Sequence, residues 1–172
     1  MKGYPLFLKL EGERCLVFGG GSVAWRKIQA LLKRGAHITC VSQDFSSSLR
    51  NLAKKNRSRL VLKKAQGGRI RLDGARLVIA ATSDRRFNVQ VARACRKEKV
   101  WVNVVDDPAL CDFYVPAVLE RGPLQIAIST GGTSPLFARR LREELEKVIP
   151  ASTGRLLEKI GNLRKQKIKE RA

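Results

Sequence analysis

Apolar positions along the chain follow two alternating patterns, which together predict an α/β protein. Short, mainly apolar runs predict strands over residues 13–18, 37–42, 60–62, 77–81 and 100–105. The run 77–81 is continuously apolar, as expected of a parallel strand covered on both faces. Apolar residues at helical spacing recur over 22–34 and 85–98, and a polar segment with helical character covers 44–56. Because strands and helices alternate, we expect a Rossmann-type parallel sheet.

Turn and capping residues mark the ends of these elements. Gly35 is expected to stop the first helix as its C-cap. Asp84 or Thr82 is expected to cap the helix over 85–98. The pairs Gly67–Gly68 and Asp73–Gly74 predict turns between the third and fourth strands.

The pattern changes after the fifth strand. Residues 113–119 are apolar, Gly122–Pro123 predicts a turn, and 124–128 predicts another strand. Ser134 as N-cap and Pro135 as first helical residue then predict a helix that ends at Pro150. We therefore expect a dinucleotide-binding Rossmann domain over 1–112, a small α+β segment over 113–150 and a basic helical tail over 151–172.

The chain is strongly basic, which bears on its partners. Its 172 residues include 35 Lys and Arg against 15 Asp and Glu, a formal net charge of +20. This charge favours polyanions, either nucleic acid or a small molecule with many carboxylates, although a basic solvated surface explains it as well. Residues 155–172 contain no aromatic side chain to stack on bases, and no helix-turn-helix pattern is present, so nucleic acid is the less favoured partner.

Membrane, disulfide and metal chemistry find little support in the sequence. No apolar run is long enough to cross a bilayer and the N-terminus lacks the apolar stretch of a signal peptide, so we expect a cytoplasmic protein. The four cysteines form no Cys-x-x-Cys pair, and His37, the single histidine, falls inside a predicted strand. We therefore predict no stable metal site. Cys111 lies in a candidate site loop, where a buried small residue is the favoured interpretation.

The end of the first strand carries the clearest chemical motif. The strand runs into Gly19-x-Gly21-x-x-Ala24, which is typical of a dinucleotide-binding turn. Gly19 allows the tight turn, Gly21 lets a pyrophosphate approach the backbone, and Ala24 lets the following helix pack closely on the sheet. An ordinary glycine turn is the alternative.

Four segments occur in a specific order: 4–8, 19–27, 103–108 with 111–113, and 129–135 followed by 138–142. In this order they resemble the precorrin-2 dehydrogenase family, the dehydrogenase and ferrochelatase module of siroheme synthase. The resemblance implies oxidation of precorrin-2, a polycarboxylate tetrapyrrole, to sirohydrochlorin with NAD as hydride acceptor. It further implies, for many members, insertion of Fe²⁺, and a homodimer built through the 113–150 segment.

The resemblance also assigns site residues. The catalytic carboxylate would be Asp106, just past the fifth strand, with capping of the Asp107–Pro108 turn as the alternative. Asp107 is expected to have a turn role. The cofactor positions, from the pyrophosphate to the ribose and adenosine, would be Gly19, Gly21, Ser22, Val23, Gln43, Asp44 and Thr82. The substrate positions would be Asn103, Thr130, Gly131 and Gly132.

Some of these positions have a second interpretation. Asp44 lies about two residues beyond the usual acidic position for ribose recognition. The alternative for Asn103 is a strand-end side chain bonded to backbone, and the alternative for Thr82 is a helix cap. For the whole protein, the alternatives are an NAD-binding redox-sensing regulator that binds nucleic acid, and an NAD-binding structural subunit without catalysis.

Overall fold

The computed structural model describes residues 3–65 and 70–170, so the turn expected at Gly67–Gly68 lies outside the described residues. The chain divides into two compact units. One is Tyr4–Tyr114, and the other comprises Gly3 and the residues from Val115 onward. The fold is α/β, as the sequence predicts.

A five-stranded parallel sheet forms the centre of the first unit. Its strands are β1 (Arg14–Phe18), β2 (His37–Ser42), β3 (Leu60–Lys64), β4 (Leu77–Ala80) and β5 (Trp101–Val104). They lie in the order β3-β2-β1-β4-β5, and every pair is parallel. The strand order therefore reverses between β1 and β4, and open α/β sheets bind ligands beyond the carboxyl ends of the strands at such a point.

Three helices accompany this sheet: α1 (Ser22–Lys33), α2 (Ser47–Lys55) and α3 (Arg85–Glu98). Helix α1 ends in a Schellman motif. Gly35 has a φ of +78°, its amide donates to the carbonyl of Leu32, and that of Ala36 donates to the carbonyl of Leu31. Helix α2 is shorter than expected because Ser46 caps it, its hydroxyl accepting a hydrogen bond from the amide of Leu49.

The two faces of the sheet bury separate apolar clusters. Cys15 and Val17 of β1 pack with the buried side of α1, whereas Leu16 and Phe18 face the cluster that includes α3. This alternation follows from the two-residue period of a strand. Covering both faces explains why the central strand β4 appears in the sequence as an uninterrupted apolar run.

The second unit contains an antiparallel hairpin and two helices. Strands β6 (Ala117–Arg121) and β7 (Leu124–Ile128) pair through the turn at Gly122, and α4 (Pro135–Val148) and α5 (Ser152–Lys169) follow. Helix α5 approaches the hairpin at Gly154, where a Cβ would lie 2.7 Å from the carbonyl carbon of Arg121. The apolar residues at 113–116 precede β6 instead of forming part of it.

None of the helices within 3–65 and 70–170 combines the length and apolar character needed to cross a membrane.

Candidate dinucleotide and acid–base site

The first two glycines of the turn after β1 are required by backbone packing. Gly19 has a φ of +123°, and a Cβ there would lie 2.3 Å from the carbonyl oxygen of Ala81, which follows β4. A Cβ on Gly20 would lie 1.8 Å from the carbonyl oxygen of Asp44, which follows β2. Both distances are far below van der Waals contact, so any side chain at either position would force the backbone to move.

Gly21 differs from its two neighbours because a Cβ there would meet no atom within 4 Å. It is the N-cap residue of α1, and it brings no side chain to the amides of the first turn. Backbone N–H groups and the positive end of the helix dipole therefore face an open volume at Gly21, Ser22 and Val23. This is the arrangement that a dinucleotide pyrophosphate requires, so the residues present fit a bound cofactor.

Asp44 is brought next to this turn, although it is distant from it in sequence. Besides the close approach to Gly20, the amide of Ser46 donates a 2.8 Å hydrogen bond to the carbonyl of Gly20. The side chains of Gln43 and Asp44 are exposed. The late acidic position identified in the sequence therefore lies beside the glycine turn, on the segment where ribose recognition is expected.

Thr82 follows β4 and is held by hydrogen bonds within the fold. Its hydroxyl lies 2.7 Å from Oδ1 of the buried Asn88 and 3.2 Å from the carbonyl of Asp84, and Nδ2 of Asn88 donates to the Thr82 carbonyl. Asp84, not Thr82, caps α3 by accepting from the amide of Phe87. Asn88 was not identified as a structural residue from the sequence. The only sequence feature that could have identified it is a polar residue directly after the inward-facing Phe87.

Asp106 follows β5 in a conformation that is uncommon for a residue with a side chain. Its φ is +62°, in the left-handed region that aspartate tolerates better than most residues, and it is exposed. Its neighbour Asp107 accepts from Nη2 and Nε of Arg85 at 3.1 and 3.3 Å. The ion pair between this loop and the exposed Arg85 of α3 therefore involves Asp107, and Asp106 follows the carboxyl end of β5, where its side chain makes no hydrogen bond or ion pair with the described residues.

Buried polar groups of β5 fix the loop that carries Asp106. Nδ2 of the buried Asn103 donates to the carbonyl of Phe113 at 3.0 Å. The Cys111 thiol donates to the carbonyl of Val104 at 3.1 Å and accepts from its amide at 3.2 Å. Burial raises the pKa of the Cys111 thiol. Of the two interpretations of Asn103, the structure therefore shows the hydrogen bond to backbone. A contact of Asn103 with substrate stays a prediction.

Lys27, which was not assigned a role from the sequence, lies half-buried on α1. Burial lowers the pKa of its ammonium group, Arg26 acts in the same direction, and Cys111 and Asp106 oppose both. The sequence feature that could have predicted this partial burial is helical spacing, since position 27 lies three residues after the inward-facing Ala24.

The remaining predicted substrate residues belong to the second unit. Gly131 and Gly132 have φ values of +64° and +85°, which explains the glycine pair. The Thr130 hydroxyl accepts from the amide of Ser134 at 3.1 Å. Ser134 in turn caps α4 by accepting from the amide of Phe137 at 3.2 Å, as predicted. These contacts shape a left-handed turn that leads into a helix.

In the described parts of the chain, no three His, Cys, Asp or Glu side chains gather in a way that could hold a metal ion.

The sheet order, the glycine turn and the open volume at Gly21 define a Rossmann-type dinucleotide-binding protein. Family models agree with this class. Residues 6–117 match the family described as "Putative NAD(P)-binding", and residues 121–147 match "Sirohaem biosynthesis protein central". The solved structure of SirC, a precorrin-2 dehydrogenase, is 30% identical, covers 91% of this chain and 76% of that one, and superposes with a TM-score of 0.76. The chain belongs to the precorrin-2 dehydrogenase family, which confirms the resemblance found in the sequence.

Longer relatives share the same region. The siroheme synthase of Methylobacillus flagellatus is 45% identical over 159 residues, which are 91% of this chain and 33% of that protein. The siroheme synthase of Nitrosomonas europaea is 44% identical over 168 residues, 97% of this chain and 35% of that protein. The chain therefore spans about one third of the length of these curated relatives.

Proposed function

We propose that the protein oxidises precorrin-2 to sirohydrochlorin with NAD⁺ in siroheme biosynthesis. The observation that carries this proposal is that one sheet presents both an open dinucleotide turn at Gly21 and a projecting carboxylate at Asp106, both after the carboxyl ends of strands. The similarity to SirC, which is itself a precorrin-2 dehydrogenase, supports the choice of substrate.

The roles of the cofactor and of Asp106 follow from the chemistry of the reaction. Oxidation removes two hydrogens from the tetrapyrrole, one with its bonding electron pair as hydride and the other as a proton. When bound, NAD⁺ supplies the hydride acceptor. Gly21, Ser22 and Val23 would hold its pyrophosphate and Asp44 a ribose hydroxyl, with Gln43 and Thr82 nearby. The Asp106 carboxylate accepts the proton.

The anionic substrate matches the charge of the chain. A net charge of +20 attracts a polycarboxylate and raises its rate of encounter. We propose that Thr130 and the turn at Gly131 and Gly132 contact a substrate carboxylate, since their left-handed backbone presents amide groups ahead of a helix N-terminus. Asn103 contributes by fixing the loop that carries Asp106.

Assay of the purified protein with precorrin-2 and NAD⁺ tests the proposal. We expect NADH and the sirohydrochlorin spectrum to appear together. Asp106→Asn should abolish turnover and leave the Kd for NAD⁺ unchanged, whereas the adjacent Asp107→Asn should retain turnover. No NADH formation by folded wild-type protein would contradict the proposal, and full activity of Asp106→Asn would remove that residue from the mechanism.

We further propose that the protein inserts Fe²⁺, as a substrate, into the tetrapyrrole product. The same carboxylate can accept the pyrrole protons that a metal displaces. Adding Fe²⁺ after the first reaction should then convert the sirohydrochlorin spectrum into that of siroheme. An unchanged rate of conversion in the absence of protein would contradict this second step.

We also propose a cytoplasmic homodimer. Helix α4 exposes large apolar side chains of the kind that monomers usually bury, among them Leu136, Phe137 and Val148. The four free thiols suit a reducing compartment. Light scattering should give twice the mass of the chain, and a monomeric mass at micromolar concentration would contradict the dimer.

A further inference from the structure

Hydrogen bonds continue the parallel sheet past the carboxyl ends of its strands, from the glycine turn to the loop after β5. The amide of Ala81, directly after β4, donates to the carbonyl of Phe18 in β1 at 2.7 Å. The amide of Val105, directly after β5, donates to the carbonyl of Ala80 in β4 at 2.9 Å. The residues that follow these strands therefore lie side by side, and Thr82, the second residue after β4, lies between the glycine turn and the loop after β5.

This place determines which half of a bound dinucleotide Thr82 would meet. A Cβ on Gly19 would lie 3.3 Å from the Thr82 amide nitrogen, so Thr82 borders the turn proposed to hold the pyrophosphate. Asp44, proposed for the adenosine ribose, follows β2, on the opposite side of β1 from β4. Because the pyrophosphate separates the two riboses of a dinucleotide, the ribose that carries nicotinamide would extend toward β4 and β5. Thr82 borders that second half, next to the loop that carries Asp106.

The Thr82 hydroxyl has a fixed polarity because a buried amide controls it. Asn88 of α3 is only 4% exposed, and its Nδ2 donates to the Thr82 carbonyl at 3.0 Å. Since Nδ2 can only donate, Oδ1 is the atom of this amide that faces the hydroxyl, at 2.7 Å. The carbonyl of Asp84, 3.2 Å from the hydroxyl, is an acceptor as well. The hydroxyl proton is therefore directed into the protein, and the oxygen lone pairs remain for a ligand at this half-buried side chain.

We propose that the Thr82 hydroxyl accepts a hydrogen bond from the ribose that carries nicotinamide, and that Asn88 is the positioning residue that keeps this hydroxyl in its accepting orientation. The inference rests on the proposed function, because it assigns one contact within the same dinucleotide site. A ribose hydroxyl supplies the donor that such an oxygen requires. The contact would hold the nicotinamide half on the side of the sheet where Asp106 receives the substrate proton.

Binding of three adenine nucleotides tests this assignment without the tetrapyrrole. ADP contains the adenosine and the two phosphates, ADP-ribose adds the second ribose, and NAD⁺ adds nicotinamide. Thr82→Val removes the hydroxyl with little change in volume. Its Kd should rise about 3- to 10-fold for ADP-ribose and for NAD⁺, as expected for the loss of one hydrogen bond, and should stay unchanged for ADP. Isothermal titration calorimetry measures all three dissociation constants.

Further variants separate the contact from the stability of the loop. Because Thr82→Val leaves Oδ1 of Asn88 without its donor, urea denaturation is measured on each sample. Thr82→Ser restores a hydroxyl and should recover most of the affinity for ADP-ribose. Asn88→Leu should raise the Kd for ADP-ribose roughly 2- to 5-fold and leave that for ADP unchanged, because the hydroxyl is then free to rotate. The matched control is Ser83→Ala, at the adjacent exposed hydroxyl, which should leave all three constants unchanged.

The three nucleotides also separate this inference from the proposed function. An equal rise for ADP in Thr82→Val, a rise for NAD⁺ alone, or no rise at all would contradict a contact with the second ribose. Equal changes for ADP and ADP-ribose in Asn88→Leu would indicate a purely structural residue and overturn its positioning role. Wild-type protein that binds none of the three nucleotides would instead contradict the dinucleotide site itself, and with it the proposed function.

Discussion

Replacing Gly21 with alanine separates the two tasks of the glycine turn, folding and cofactor binding. A Cβ at this position meets nothing within 4 Å, and the backbone angles (φ −89°, ψ −168°) are ones that alanine adopts without strain. Reduced freedom of the unfolded chain should stabilise the variant by about 0.4–1 kcal/mol. The poorer N-cap should cost up to about 1 kcal/mol. The free energy of unfolding should therefore change by less than about 1 kcal/mol.

Cofactor binding should respond very differently to the same methyl group. It occupies the volume through which a phosphate oxygen approaches the first-turn amides, so at least one hydrogen bond to a charged group is lost. Such a bond contributes about 1.5–3 kcal/mol, which corresponds to a rise of roughly 10- to 150-fold in the Kd for NAD⁺. Isothermal titration calorimetry measures this Kd, and urea denaturation measures the stability of the same sample.

Two other glycine variants are the controls for Gly21→Ala. Gly20→Ala places a Cβ 1.8 Å from the Asp44 carbonyl oxygen and should destabilise the fold by about 1–3 kcal/mol or more. Gly161→Ala, at an open position of α5, should leave the Kd unchanged. A wild-type Kd in Gly21→Ala would refute pyrophosphate binding at this turn. A loss of more than about 2 kcal/mol in its stability would refute the open environment of Gly21.

Three further predictions concern groups that support the site. Asn103→Ala should lower the free energy of unfolding by about 1–3 kcal/mol, because the Phe113 carbonyl loses its donor; an unchanged urea midpoint would argue against the loop-fixing role. Ser134→Ala should cost about 1 kcal/mol in thermal unfolding through loss of the α4 cap, and no fall in Tm would show that the cap is dispensable. At pH 8, iodoacetamide should modify Cys111 before Cys40, because burial raises the pKa of the Cys40 thiol to about 12. Mass spectrometry of digests identifies the modified thiols. Faster labelling of Cys40 than of Cys111 would contradict the burial of Cys40.

Much of the fold could be predicted because the sheet is covered on both faces. Apolar residues predominate in the central strands, without interruption in β4, and the predicted bounds agree with all five observed strands to within two residues. Caps were less certain. Both Thr82 and Asp84 carry a side-chain oxygen suited to capping, and the choice depended on Asn88, which binds the Thr82 hydroxyl from one turn further along.

The site was only partly predictable because its electrostatics depend on contacts between distant segments. Gly20 occupies the unspecified position of the Gly19-x-Gly21 motif, and only the approach of the Asp44 carbonyl shows that it cannot carry a side chain. The environment of Lys27 likewise depends on where the loop after β5 lies, which no local pattern around position 27 records. Asp106 was assigned through the family resemblance, whereas its left-handed backbone was not foreseen.

The contact between Gly20 and the Asp44 carbonyl has a consequence for changing coenzyme preference. The loop after β2 and the glycine turn are interlocked through backbone atoms and through the hydrogen bond from Ser46 to Gly20. Lengthening that loop to admit a 2′-phosphate would therefore distort the neighbouring turn as well. Substitutions intended to change the preference from NAD to NADP should therefore replace the exposed side chains of Gln43 and Asp44 and keep the length of the loop. Coenzyme selectivity can then change while the backbone of the pyrophosphate-binding turn stays as it is.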